Sequence, residues 1–191
     1  TGNTVVDELY LQRPRAEARG ALERFGVSPK RYALATVHRA ENTDHEGRLR
    51  SIVAGLSQAA AATGLEVLAA VHPRTTQRME KLGLAWGDHV RALPPLPYLD
   101  FLGLHAQAAL TMSDSGGLQE EACCLGVPCV TLRDNTERPE SVDVGANVLV
   151  GADTERIVAG ARAMLGKAGG WANPFGDGRA AHHILDALLS A

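Results

Sequence analysis

Little in this chain marks a secreted, membrane-spanning or metal-built protein. Aromatic residues make up only 4% of the 191 residues, and there are three cysteines. Cys123, Cys124 and Cys129 are crowded together and odd in number, so they supply no disulfide framework. They read as buried small apolar residues, and with no fourth ligand nearby they make no zinc site. A reducing, cytoplasmic setting is the expectation. No run approaches the roughly 18 apolar residues of a membrane-spanning helix. The opening Thr1-Gly-Asn-Thr-Val-Val-Asp-Glu8 lacks the basic start and apolar stretch of a secretion signal. An excess of one charge is missing too. The net charge of −3 and isoelectric point of about 6.1 give no basic field to draw the chain to nucleic acid or an anionic membrane. There is no P-loop lysine motif, no HExxH, no GxSxG and no dinucleotide fingerprint at the first strand. Hydride transfer, P-loop ATP hydrolysis and zinc hydrolysis are therefore without support.

What is present is an ordinary globular composition, 45% hydrophobic and 21% charged, in a length that suits one domain with a sizeable core. The first residue is Thr, so the chain is expected to be processed or part of a longer protein. From about residue 31 the hydrophobic period alternates between strand and helix. Strands are expected at 31–37, 65–71, 89–93, 108–113, 128–132 and 146–150. Helices are expected at 46–62, 75–82, 98–106, 117–125, 153–165 (with Asp153 as N-cap) and 179–189. Thr43 and Glu46 read as a capping box for the first of these. The lead-in, residues 1–30, reads as two helical pieces, 3–11 and 14–25, and the Gly- and Pro-rich stretch 169–178 as a linker. Strands alternating with helices predict an α/β, Rossmann-like domain over 31–168, its mostly parallel sheet covered on both faces.

In open α/β sheets ligands bind beyond the carboxyl ends of the strands, which directs attention to three loops. In Ser113-Asp-Ser-Gly-Gly-Leu-Gln-Glu-Glu121, residues Ser115, Gly116 and Gly117 fall where a strand ends and a helix begins. Free amides and the helix dipole there suit a diphosphate. Glu121, one turn on, is placed to accept hydrogen bonds from a ribose diol. The alternative is a plain glycine-containing turn with a solvated Glu-Glu pair. In Val37-His-Arg-Ala-Glu-Asn-Thr-Asp44, His38 and Arg39 can donate to phosphate oxygens, or His38 is structural. Arg133-Asp-Asn-Thr-Glu-Arg-Pro-Glu140 has five charged residues in eight, fitting either a solvated loop or a polar active-site rim. Phe101, after Pro94-Pro-Leu-Pro97, could meet a flat base or pack in the core. His72-Pro-Arg74 follows a strand with nothing to choose between structure and chemistry, and His182 and His183 read as surface or interface residues.

Together these loops resemble the non-hydrolysing UDP-N-acetylglucosamine 2-epimerases. The resemblance rests on TGNTVVD (1–7), HRAENTD (38–44), HPRT (72–75), PYLDF (97–101), SDSGGLQEEACCLGVPCVTLRDNTERPESVDVGANVLVG (113–151) and NPFGDGRA (173–180). These motifs run in order along the whole chain, and DSGG-x-QEE followed by TERPE is highly specific. The resemblance implies the C-terminal, UDP-binding half of a GT-B type two-domain enzyme with the nucleotide in the cleft between halves. It implies interconversion of UDP-N-acetylglucosamine and UDP-N-acetylmannosamine by elimination of UDP and its re-addition. Ser115, Gly116 and Gly117 would hold the diphosphate, Glu121 the ribose hydroxyls, and Phe101 would lie by the uracil. His38 would be catalytic at the diphosphate, and Glu137 and Arg138 would line the same cleft. Neither cofactor nor metal is implied; the partners implied are UDP, a UDP-N-acetylhexosamine, the other half and a second copy in a dimer. Residues 1–30 would follow the domain crossover, and the helix within 169–191 would pack on the N-terminal half, which also holds the carboxylates proposed for proton transfer at C2. Two departures stand out: Ala40 replaces a second Arg, and HPR replaces His-Asn-Pro. In the members that keep both, these segments help form a regulatory site, and HRAENTD with HPRT looks closer to members lacking it. Alternatives are a UDP-sugar-binding module without catalysis, and half of a GT-B glycosyltransferase.

Overall fold

The computed structural model describes residues 1–167 and 169–190. Among these residues six strands, β1 (Tyr32–Thr36), β2 (Glu66–Ala70), β3 (Val90–Leu93), β4 (Leu110–Ser113), β5 (Cys129–Thr131) and β6 (Asn147–Leu149), form one sheet in the order β3-β2-β1-β4-β5-β6. Every pairing is parallel, so the connections are helical crossovers. Among the described residues ten helices accompany them: α1 (Thr4–Glu17), α2 (Ala21–Phe25), α3 (Ala40–Thr43), α4 (Glu46–Thr63), α5 (Pro73–Lys81), α6 (Tyr98–Gln107), α7 (Gly116–Leu125), α8 (Pro139–Asp143), α9 (Thr154–Met164) and α10 (Ala180–Leu189). None of the described helices is long and apolar enough to cross a membrane.

Both sheet faces are buried, as an all-parallel sheet requires. Along β1 the period of two sends Ala33 and Ala35 into a core with Leu49, Ile52 and Leu56 of α4 and Ile157 and Ala161 of α9. Tyr32 and Leu34 face the other way, toward Leu104 of α6 and Ala122 of α7. Two glycines allow close approaches on this face, Gly55 that of α4 to α9 and Gly160 that of α9 to the sheet. A Cβ on Gly55 would lie 2.7 Å from Ile157 Cδ1 and 3.1 Å from Ile157 Cβ. One on Gly160 would lie 2.7 Å from Val150, with Val130 and Val148 at 3.4 and 3.5 Å. These β-branched neighbours have little rotamer freedom to yield. Gly160→Val should therefore overpack the α9–sheet contact and cost about 2 kcal/mol. At this chain length that is a fall in Tm of roughly 4–8 °C, measurable by calorimetry; an unchanged Tm would mean that α9 can move off the sheet freely.

Several expectations need correction. Thr43 does not cap α4. It ends the short helix α3 and donates from Oγ1 to Arg39 O at 3.2 Å, while His45 stands at the α4 N-cap without a side-chain bond. Pro14 does not open a second helix. It lies inside α1, which runs unbroken to Glu17; one lost backbone bond is offset by packing of Leu9 and Ala16 against Leu102 of α6. Asp100 of α6, almost fully buried, is held by Arg19 and Arg24, so the lead-in helices are clamped to α6. Stretch 169–178 forms no helix or strand and is anchored at two points: Phe175 is buried with Val6 and Cys123, and Trp171 donates to Cys123 O at 2.9 Å. Cys123 and Cys129 are buried as expected, but Cys124 is only half-buried. At α10 only Ala180 is buried. Asp7 accepts from the amides of Ala180 and Ala181 at 2.9 and 2.8 Å, while Leu185, Leu188 and Leu189 are exposed.

Candidate functional site

The strand order reverses between β1 and β4, and a doubly wound sheet opens its ligand crevice at such a switch point. The loops leaving these two strands are the ones that contain His38 and Ser115. They are tied where they start: Thr36 Oγ1 meets Ser113 Oγ at 2.6 Å, and Ser113 Oγ accepts from the Ser115 amide at 2.9 Å. Ser115 caps α7 in extended conformation, with its side chain toward the Leu118 amide at 3.4 Å. Gly116 and Gly117 are the first two helical residues, so their amides have no intrahelical carbonyl. The first turn of α7 contains no acidic residue. Neither glycine is required by the fold. Neither has a positive φ, and an added Cβ would meet nothing nearer than 3.4 Å at Gly116 and 4.0 Å at Gly117. Their missing side chains leave open space in front of a helix N-terminus, where dipole and free amides favour an anion. Arg39 borders that space, with Nη2 3.8 Å from the Gly116 Cβ position.

His38 stands beside it, half exposed, with Nδ1 2.9 Å from Oδ1 of the fully buried Asp114. Asp114 accepts also from the His38 amide at 3.1 Å, the Arg39 amide at 3.0 Å and Asn42 Nδ2 at 3.1 Å. Burial works to raise its pKa; the hydrogen bonds from the His38 side chain, the Arg39 amide and Asn42 outweigh that and leave it below the ordinary carboxylate range. A carboxylate on Nδ1 fixes the ring and leaves Nε2 for a ligand. By residue type an Asp between two serines is ordinary turn chemistry; the signal of Asp114 is its place, directly after a central strand.

The charged third loop is exposed at Asp134, Asn135, Glu137 and Glu140 but anchored by one buried residue. Arg133 is buried and donates to Glu41 at 2.9 Å, to Glu137 at 2.7 and 3.0 Å and to Asn135 at 3.0 Å, stitching the loop after β5 to the loop after β1. Its guanidinium holds the Glu137 carboxyl down at about 2. Glu137 also borders Gly116, its Oε2 3.4 Å from the Cβ position. Arg138 turns away to Glu120 at 2.6 Å, which accepts from Asn3 at 2.8 Å as well.

A cavity of about 480 Å³ brings His38, Ser115, Leu118, Tyr98 and Phe101 together. Phe101 lines this cavity and packs against the core on its side of the sheet. His72 caps α5, its Nδ1 accepting from Arg74 N at 3.2 Å, and also edges the cavity. Glu137 and Arg138 line a different cavity of about 510 Å³ with Glu120 and Asn3, which shares no lining residue with the first. Glu121 forms the wall of neither; it sits one turn beyond Leu118 on α7, its side chain 16% exposed. Among the described residues no group of three or more His, Cys, Asp or Glu could hold a metal ion.

A protein-family model described as UDP-N-acetylglucosamine 2-epimerase matches residues 1–189. A UDP-N-acetylglucosamine 2-epimerase of Methanocaldococcus jannaschii is 41% identical over 98% of this chain and 53% of its own length. A crystal structure of the Methanocaldococcus jannaschii epimerase in complex with UDP-GlcNAc and UDP superposes with a TM-score of 0.90 at 40% identity, over 100% of this chain and 54% of that one. A UDP-2,3-diacetamido-2,3-dideoxy-D-glucuronate 2-epimerase of Pseudomonas aeruginosa is 48% identical over 71% of this chain and 38% of its own. The chain spans about half the length of the full-chain relatives it matches.

Proposed function

The chain belongs to the UDP-N-acetylglucosamine 2-epimerase family, and from that premise we propose that it is the UDP-binding, C-terminal half of such an enzyme, incomplete for turnover alone. The observation that carries the reading is the open helix start at Gly116 and Gly117, flanked by Arg39 and His38, at the switch point of the sheet. Ser115 and the two glycines take the diphosphate, Phe101 lies by the uracil, and Glu121 accepts from the ribose hydroxyls. Glu137 borders the same helix start; Arg138 lines the cleft toward α1.

In the reaction the proton on C2 of the sugar leaves, the bond from C1 to the diphosphate oxygen breaks, and UDP departs with the electron pair. UDP then re-adds to the glycal-type intermediate as a proton returns to the opposite face of C2. Charge develops on the departing diphosphate, where fixed amide donors and a cation are most effective. His38, oriented through Nδ1 by Asp114, presents Nε2 there and is the catalytic residue of this half. The C2 proton transfer belongs to the other half of the full-length relatives. UDP is the constant part of this reading, since the Pseudomonas aeruginosa relative is named for a different UDP-sugar.

Calorimetric titration of UDP into the chain and into Glu121→Ala tests it. Binding by the chain, weakened roughly tenfold or more in the variant (about 1.4 kcal/mol), is expected. Equal binding by both would remove Glu121 from the ribose site. Absence of binding would mean that the chain does not form the nucleotide site unaided.

A further inference from the structure

Glu121 differs from the other carboxylates around the cleft. Glu41 and Glu137 share Arg133, and Glu120 has Arg138. Among the described residues, the group that faces Glu121 within ion-pair distance is the ring of His105, with Nδ1 3.6 Å from Oε2. The carboxylate's field reaches its neighbours: burial first, and then Glu121, push the Tyr98 phenol up to about 12.

His105 is itself unusual. It is fully buried on α6, one turn from Phe101, with ring centroids 5.8 Å apart. Its Nε2 lies 3.0 Å from Thr111 Oγ1 on β4, and its Nδ1 has no hydrogen-bond partner. A hydroxyl can donate to Nε2, and a neutral imidazole then keeps its proton on Nδ1. Buried donors without acceptors are rare because their desolvation goes uncompensated. The acceptor this one faces is Glu121, just beyond a normal hydrogen bond.

We propose that His105 is a positioning residue: its Nδ1–H donates to Glu121 Oε2 and fixes the carboxylate for the two ribose hydroxyls. This rests on the reading that Glu121 receives the ribose. Thr111 sets the tautomer from β4, so the hydrogen-bond chain runs from the sheet through α6 to α7.

Two near-isosteric variants separate this role from mere packing. In His105→Asn the side-chain amide occupies the place of Nδ1 and keeps the donor toward Glu121. In His105→Gln it occupies the place of Nε2 and keeps only the Thr111 contact. Titrations of UDP and 2′-deoxy-UDP should find that the chain prefers UDP, that His105→Asn retains most of that preference, and that His105→Gln loses it. The expected loss is about tenfold for UDP and smaller for 2′-deoxy-UDP, which keeps only the 3′-hydroxyl. The reverse ranking, or equal losses for both nucleotides in both variants, overturns the proposal. Glu121→Gln is the control: if it leaves the UDP preference intact, or if the chain shows none, the ribose reading has failed on its own. The ¹⁵N spectrum of His105 then decides without ligand. A protonated Nδ1 whose resonance moves in Glu121→Gln supports the link, and a proton on Nε2 rules it out.

Discussion

Gly117→Val should fold as well as the native chain and lose UDP by a factor of roughly 100 or more, about 2.7 kcal/mol. Both halves of that expectation come from the same geometry. The nearest atom to a Cβ at residue 117 is 4.0 Å away and the backbone φ is not positive, so a Cβ meets no steric obstacle and the backbone needs no glycine. Valine is moreover a slightly better helix former than glycine. The new methyls occupy the space before the first-turn amides of α7 and deny an anion its approach to them. Melting temperature and UDP affinity, measured on the same sample, give the test. A variant that melts normally and binds UDP unchanged would show that the diphosphate lies elsewhere; one that unfolds would show that the loop needs glycine for itself.

Asp114→Asn is expected to have the largest combined effect. Asp114 faces donors only: the amides of His38 and Arg39, Asn42 Nδ2 and the His38 ring. An asparagine must turn an NH₂ group toward at least one of them, leaving buried donors unpaired. The cost is about 3 kcal/mol, or roughly 6–12 °C in Tm. The pH dependence has a definite sign. Because the native carboxyl lies below its ordinary pKa of 3.8, its stabilisation is complete above that value and is lost as pH falls through the native one. Urea titrations from neutral to acid pH should therefore give a shallower loss of stability in Asp114→Asn than in the native chain. Parallel curves would mean that the carboxylate contributes no proton linkage. In a full-length enzyme the same change misorients His38, and turnover should drop by roughly 10² to 10⁴.

The sheet and its major helices were legible because their signals are periodic. Leu49, Ile52, Val53 and Leu56 trace one helical face, and runs such as Leu65–Val71 are too apolar for anything but a buried strand. The loops of the site were legible by position, since strand ends are where such sheets bind. What escaped was set by distant partners. Arg133 looks solvated in a stretch of mixed charge until Glu41, 92 residues away in sequence, arrives beside it. Asp100 of α6 carries no local signal of burial; it is held by Arg19 and Arg24, some eighty residues away in sequence. The apparent capping box at Thr43 failed because the chain forms a separate short turn first, and local propensity gave way to the Asn42 bridge from Leu132 O to Asp114. His105 lay within an apolar run, and no local pattern tells a buried histidine with a free nitrogen from one without.

The meeting of Gly55 with Ile157 has a consequence for how this sequence can change over time. The two positions share a single volume, so a methyl gained at residue 55 is tolerated only after one has been given up at residue 157. Gly55→Ala alone should be harmful, and Ile157→Val alone mildly so, yet together they should cost less than their sum. That positive coupling, of the kind contacting residues show, makes the order of substitution matter. A substitution at this glycine is therefore expected to be tolerated best where residue 157 is already smaller.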